Sequence, residues 1–114
     1  MLGEAEITLP RFLADLERDE ASHFYAADRF AALHDVPIPL WELIDIRKYA
    51  AMNIQYSRGC PIDCEFCDIT QLFGRKPRTR SREQILAELN VLYALGWRGG
   101  DFFVEITSLA TRGS

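Results

Sequence analysis

The sequence predicts an α/β fold: one βαβ unit behind a helical connector. Three observations carry this expectation. Met52-Asn53-Ile54-Gln55-Tyr56-Ser57 alternates apolar and polar residues, the period of a half-buried strand. Ser81-Arg82-Glu83-Gln84 has the form of a capping box ahead of a helix that ends near Gly96. Asp101-Phe102-Phe103-Val104-Glu105-Ile106 carries an apolar run suited to a buried parallel strand.

Residues 1–50 form the connector. Thr8 is the expected N-cap of a helix reaching about Asp19, with Pro10 in its first turn, where a missing N–H does little harm. Leu9, Phe12, Leu13 and Leu16 fall at i, i+3, i+4 and i+7 and predict a core-facing stripe. Residues 20–40 have no sustained period. Val36-Pro37-Ile38-Pro39 reads as extended chain, since proline disfavours the helical region for the residue before it. Trp41 to Tyr49 predicts a short helix, with Leu43, Ile44 and Ile46 available for packing.

Residues 51–106 form the βαβ unit. The strand from Met52 runs into Arg58-Gly59 and a long loop, an arrangement in which the strand fixes the chemistry that the loop carries. In the helix from Ser81 to Leu95, Ile85, Leu89, Leu92 and Tyr93 form the expected buried stripe, with Leu86 beside it. Trp97 to Gly100 turn the chain into the second strand, and the crossover is expected to be right-handed. Residues 107–114 are small and polar and are expected to fray.

Composition narrows the function. Of 114 residues, 48% are hydrophobic and 26% charged, as in globular proteins. No apolar run has the length of a membrane span, and the acidic start lacks the apolar core of a signal peptide, so the expected location is the cytoplasm. A net charge of −4 does not favour nucleic acid or anionic membrane. The charge is uneven: Arg75, Lys76, Arg78, Arg80 and Arg82 make a basic run without an acid, expected to be a solvated loop. It lacks the interleaved aromatics of single-strand binders.

All three cysteines lie in Cys60-Pro61-Ile62-Asp63-Cys64-Glu65-Phe66-Cys67, a C-x3-C-x2-C spacing. An odd, tightly spaced set argues against a disulfide framework and for metal or redox chemistry. Thiolates are soft ligands that suit iron–sulfur clusters or zinc. Cubane clusters usually take four cysteines, so three would leave one iron open. Zinc is the alternative, with His23 or His34 as fourth ligand, although neither stands at a conventional zinc spacing.

The motif resembles that of the radical SAM superfamily, including the aromatic Phe66 before the third cysteine. The resemblance continues through Ile54 to Pro61, Phe66 to Thr70, Phe73 to Arg78 and the helix from Glu83 to Gly96. It is strongest to members that follow a cobalamin-binding domain, whose tail end Gly3 to Glu6 and the next helix resemble. It implies that Cys60, Cys64 and Cys67 hold a [4Fe-4S] cluster whose fourth iron chelates S-adenosylmethionine. Reductive cleavage would then give methionine and a 5′-deoxyadenosyl radical. Phe66 would lie near the adenine, and Glu105 would stand in for an acid that the family carries after the second strand. The implied partners are a small-molecule substrate and a flavodoxin- or ferredoxin-type electron donor. The implied fold is the first βαβ of a partial (βα)6 TIM-like barrel, so the chain reads as a fragment of a longer enzyme. The parent's implied chemistry is methyl transfer to carbon or a ring rearrangement, with cobalamin as a possible cofactor. A catalytically inert iron–sulfur fragment and a small zinc-binding interaction module are the alternatives. A lone βαβ leaves unpaired strand edges, so marginal stability, supplied in part by the cluster, is expected.

Overall fold

The computed structural model describes residues 1–104. The chain runs through α1 (Ala5–Glu17), then 3-10 turns at Leu33–Asp35, Trp41–Leu43 and Ile46–Lys48. There follow β1 (Ala51–Gln55), β2 (Ser57–Arg58), α2 (Ile69–Phe73), β3 (Arg78–Thr79), α3 (Arg82–Ala94) and β4 (Gly100–Val104). The mixed α/β class is as expected.

The alternation at 52–55 sets the centre of the fold. Met52 and Ile54 are buried, while Asn53 between them is exposed. β4 pairs with β1 in parallel, from Ala51 opposite Gly100 to Gln55 opposite Val104. α3 lies between these strands in sequence and closes the unit: Ile85 and Leu92 join Met52 and Ile54 in one apolar core. The connector covers that core with Trp41, Ile44 and Ile46, and Tyr56, Leu89 and Trp97 pack at its margin.

The capping box is formed as read. The Gln84 amide donates to the Ser81 hydroxyl at 3.1 Å, and the Ser81 amide donates to Gln84 Oε1 at 2.9 Å. The other end of α3 is a Schellman motif. Trp97 N donates to Leu92 O and Gly96 N to Tyr93 O, with Gly96 at φ +96°. The side chain of Gln84 reaches further and donates to the carbonyls of Leu33 and His34, tying α3 to the connector.

Several expectations are corrected. α1 begins four residues before the Thr8-capped start, with Glu4 rather than Thr8 at the N-cap position. Thr8 is instead a buried residue within the helix, donating its hydroxyl to the Glu4 carbonyl at 3.4 Å. Pro10 therefore sits in the second turn, where it leaves the Glu6 carbonyl without its i+4 amide. The helix starts early because Glu4 is held by tertiary ion pairs that a local reading does not contain. Those contacts also turn the helix, so that Glu4 and Thr8 face inward and Leu9, Leu13 and Leu16 face out. Trp41 to Tyr49 is two 3-10 turns rather than one helix, and Leu43 is exposed. Leu86 and Tyr93 are exposed on α3, and Phe103 and Val104 are half-exposed on β4. β4 is parallel as predicted, but among the described residues no strand pairs with its other edge. Glu105, Ile106 and the expected frayed tail lie outside the described residues.

Candidate metal centre

The cysteine loop leaves β2 at Arg58 and returns into β3 at Arg78. These two strands form a two-residue antiparallel ladder, Ser57 opposite Thr79 and Arg58 opposite Arg78. The loop is thus a closed excursion directly beyond β1, with α2 inside it.

Its neck is tight. Gly59 has φ +93°, and a Cβ there would stand 2.3 Å from the Lys76 carbonyl oxygen. Only glycine allows the two loop ends to approach so closely in that conformation. The Cys60 amide then donates to the Gly74 carbonyl at 3.1 Å. Within the motif, the Cys67 amide donates to the Cys64 carbonyl at 3.1 Å, which makes Cys64 to Cys67 a turn. Arg75 pairs with Asp63 at 2.9 Å across the loop.

All three thiols are free. Cys60 is 8% exposed at the neck, and Cys64 and Cys67 are partly exposed further out. Among the described residues, no group of three or more His, Cys, Asp or Glu converges as a ready metal cluster. The structure thus places the three cysteines on one loop without gathering their thiols. The donor set nonetheless fits an iron–sulfur group: three soft thiols, none in a disulfide, spread over eight residues of one excursion. Phe66 is 93% exposed and belongs to no core. His23 and His34 are exposed, and His34 stands 3.3 Å from Asp35.

The basic run is the expected solvated stretch at Arg75, Lys76 and Arg82, which are exposed, but not at Arg78 and Arg80. Arg80 is buried against Glu88, with Nη1 and Oε2 in contact, and Trp41 Nε1 donates to the other Glu88 oxygen at 3.2 Å. Arg78 meets Glu4, with Nη2 2.8 Å from Oε1 and Nη1 3.0 Å from Oε2. Arg58 also reaches Glu4, at 3.4 Å, and donates to Glu6 Oε1 at 2.7 Å. The guanidinium of Arg78 lies over Phe30, 5.0 Å from the ring centroid. Burial opposes ionisation of Glu4. Hydrogen bonds from Arg78 and the Ala31 amide, with the charge of Arg78, outweigh it and hold the carboxyl below its ordinary value. A hydrogen bond from Arg58 does the same for Glu6, and Glu6 in turn raises Arg58.

Glu4, Arg58 and Arg78 were not legible as site residues. Arg78 lies 74 positions from Glu4, a separation at which spacing carries no signal.

No family model matches the chain. Individual relatives do. It is 48% identical over 105 residues to an uncharacterized methyltransferase of Synechocystis sp., covering 92% of this chain and 20% of that protein. It is 47% identical over 112 residues to the hopanoid C-2 methylase of Rhodopseudomonas palustris, covering 97% of this chain and 21% of that protein. An anaerobic magnesium-protoporphyrin IX monomethyl ester cyclase of Synechocystis is 32% identical over 87 residues, covering 57% of this chain and 17% of that protein.

The chain belongs to the radical SAM superfamily. It spans about a fifth of the length of the first two of these relatives. Membership in this superfamily of enzymes agrees with the motif at Cys60, Cys64 and Cys67, and with the position of that motif beyond the first strand of a parallel pair. Among the described residues of this radical SAM chain, no helix is long and apolar enough to cross a membrane.

Proposed function

We propose that this chain supplies the cluster-binding part of a radical SAM enzyme, with Cys60, Cys64 and Cys67 as thiolate ligands of a [4Fe-4S] cluster. The observation that carries this reading is the C-x3-C-x2-C loop of free thiols that follows β1 and β2, with β1 in a parallel β1–β4 pair. Three thiolates leave one iron without a protein ligand, which suits the amino and carboxylate groups of S-adenosylmethionine. When bound, the cluster supplies one electron for reductive cleavage of the sulfonium, releasing methionine and a 5′-deoxyadenosyl radical.

The residues of the chain do the holding. Gly59 and the Cys60–Gly74 hydrogen bond fix the first cysteine at the neck, where burial limits its contact with water. The Cys64–Cys67 turn keeps the other two close in sequence and in space. Phe66 projects from that turn, and we assign it to the adenine or to shielding the cluster. Glu105, beyond β4, is assigned to the cofactor side on the resemblance alone.

For the whole protein, the relatives named as methylases support methyl transfer to an organic small molecule, with the βαβ unit as the start of a partial (βα)6 barrel. The relative named as a cyclase keeps ring chemistry in the same frame. Cobalamin and a flavodoxin- or ferredoxin-type electron donor belong to this proposal, as does a cytoplasmic setting. Residues 1–50 are assigned as the connector from a preceding cobalamin domain, and residues 51–106 as the start of the radical SAM core.

The test is anaerobic reconstitution with iron and sulfide, followed by electron paramagnetic resonance of the reduced protein. A [4Fe-4S]+ signal that changes shape on adding S-adenosylmethionine is the expected result. A protein that takes up zinc and no cluster would sink the proposal.

A further inference from the structure

We infer that Glu4, at the start of α1, is a positioning residue for the cysteine loop, clamping its entry and exit through Arg58 and Arg78. The inference rests on the cluster-binding reading above.

The β2–β3 ladder that closes the loop has only two residue pairs, too few to hold itself in water. The clamp is on its side chains. Arg58 is the last residue before the loop and Arg78 the first after it, and they are register partners. Both point their guanidinium groups at one carboxylate, whose side chain is 3% exposed. Glu4 Oε1 receives Arg78 Nη2 and lies 3.4 Å from Arg58 Nη1, while Oε2 accepts from Arg78 Nη1 and from the Ala31 amide. Arg78 Nη2 also donates to the Phe73 carbonyl at 2.8 Å, so the end of α2 is held by the same group. One buried charge therefore secures both strands of the neck and the helix inside the loop. Charge-assisted bonds of this kind are directional and strong, although Arg78 Nε has no hydrogen-bond partner among the described residues.

The consequence is unequal for the three thiols. Cys60 is two residues from Arg58, is buried, and bonds through its amide to Gly74. Cys64 and Cys67 lie further along the loop and are partly exposed. Releasing Glu4 should free Cys60 far more than the others.

The experiment compares wild type with Glu4→Gln and Glu4→Asp in the full 114-residue chain. Alkylation of each apoprotein thiol by iodoacetamide is followed by mass spectrometry. In Glu4→Gln the Cys60 rate is expected to rise about tenfold, as local opening of the neck becomes easier, with smaller changes at Cys64 and Cys67. Glu4→Asp, which restores the charge, is expected to return most of the protection. Hydrogen exchange in α3 reports whether the core has stayed folded. If Glu4→Gln unfolds the chain, Arg78→Lys, which keeps the charge but loses the fork, serves as the second variant and should show the same selective rise at Cys60. After reconstitution, the resonance signal of the reduced Glu4→Gln cluster is expected to differ in shape from wild type, and that of Glu4→Asp to approach it. Equal alkylation changes at all three cysteines, or none at Cys60, would overturn the clamp even where the cluster forms. A wild-type chain that binds no cluster would overturn the functional reading and the purpose assigned to Glu4, while the Cys60 rate would still report the clamp.

Discussion

Arg80 and Glu88 form an ion pair inside the βαβ unit, their side chains 4% and 1% exposed. The pair links the residue after β3 to the middle of α3. Arg80 Nη1 lies 3.4 Å from the Gln55 carbonyl, where it can also donate, so the pair touches the end of β1 as well. Arg80 Nε and Nη2 have no hydrogen-bond partner among the described residues.

Removing one partner leaves a charge buried alone. Glu88→Ala is expected to cost about 3–5 kcal/mol. The double variant Arg80→Met, Glu88→Leu should be less destabilised than Glu88→Ala, because it also removes the unpaired donors. Urea unfolding followed by tryptophan fluorescence measures both. A double variant at least as unstable as Glu88→Ala would show that the pair contributes net stability.

Two glycines with nearly equal φ should respond differently to alanine. At Gly59, with φ +93°, an added Cβ would stand 2.3 Å from backbone, whereas at Gly96, with φ +96°, it would meet open space. Gly96→Ala is expected to cost about 1–2 kcal/mol, the strain of an L residue in the left-handed conformation. Gly59→Ala must also part the loop neck, so it should cost more and should lower the iron taken up on reconstitution. Equal losses of stability and unchanged iron would contradict the close approach at the neck.

Glu4 and Glu6 are both held below their ordinary value of 4.5. A carboxylate with a depressed folded pKa contributes stability that is complete above its unfolded value and is lost as pH falls through the folded one. The α1–loop contacts should thus be insensitive to pH above about 4.5 and weaken progressively below it. Protection of residues 58–78 from hydrogen exchange, measured between neutral and acid pH, checks this. In Glu4→Gln the acid loss should be smaller.

On the cluster-binding proposal, the bound group would cross-link Cys60, Cys64 and Cys67 of one loop. Binding free energy then becomes folding free energy. Reconstituted protein is expected to melt at a higher temperature than apoprotein, with added exchange protection across residues 60–67. Replacing any one of Cys60, Cys64 or Cys67 by alanine should remove most of this gain. An identical melting temperature with and without the cluster would show that the loop is already ordered.

What local pattern controls was legible. The period at 52–55 placed β1 and its buried face, and the Ser81–Gln84 box and Gly96 bounded α3, because these signals act within a few residues. The cysteine spacing marked the candidate site in the same way. α1 shows the opposite case. Its leucine stripe is a sound helical period, yet the helix turns Glu4 and Thr8 inward, and Leu9, Leu13 and Leu16 stay exposed.

By itself the sequence determined the class of the fold, the ends of α3, the pairing of an alternating strand with an apolar one, and the spacing of the three cysteines at the candidate site. Tertiary structure alone decided which charges are buried. Arg78 and Arg80 look like two residues of a solvated basic run until the chain brings Glu4 and Glu88 to them. A buried charge is tolerated only where an opposite charge meets it in space, and that meeting depends on distant segments rather than on neighbours in the chain.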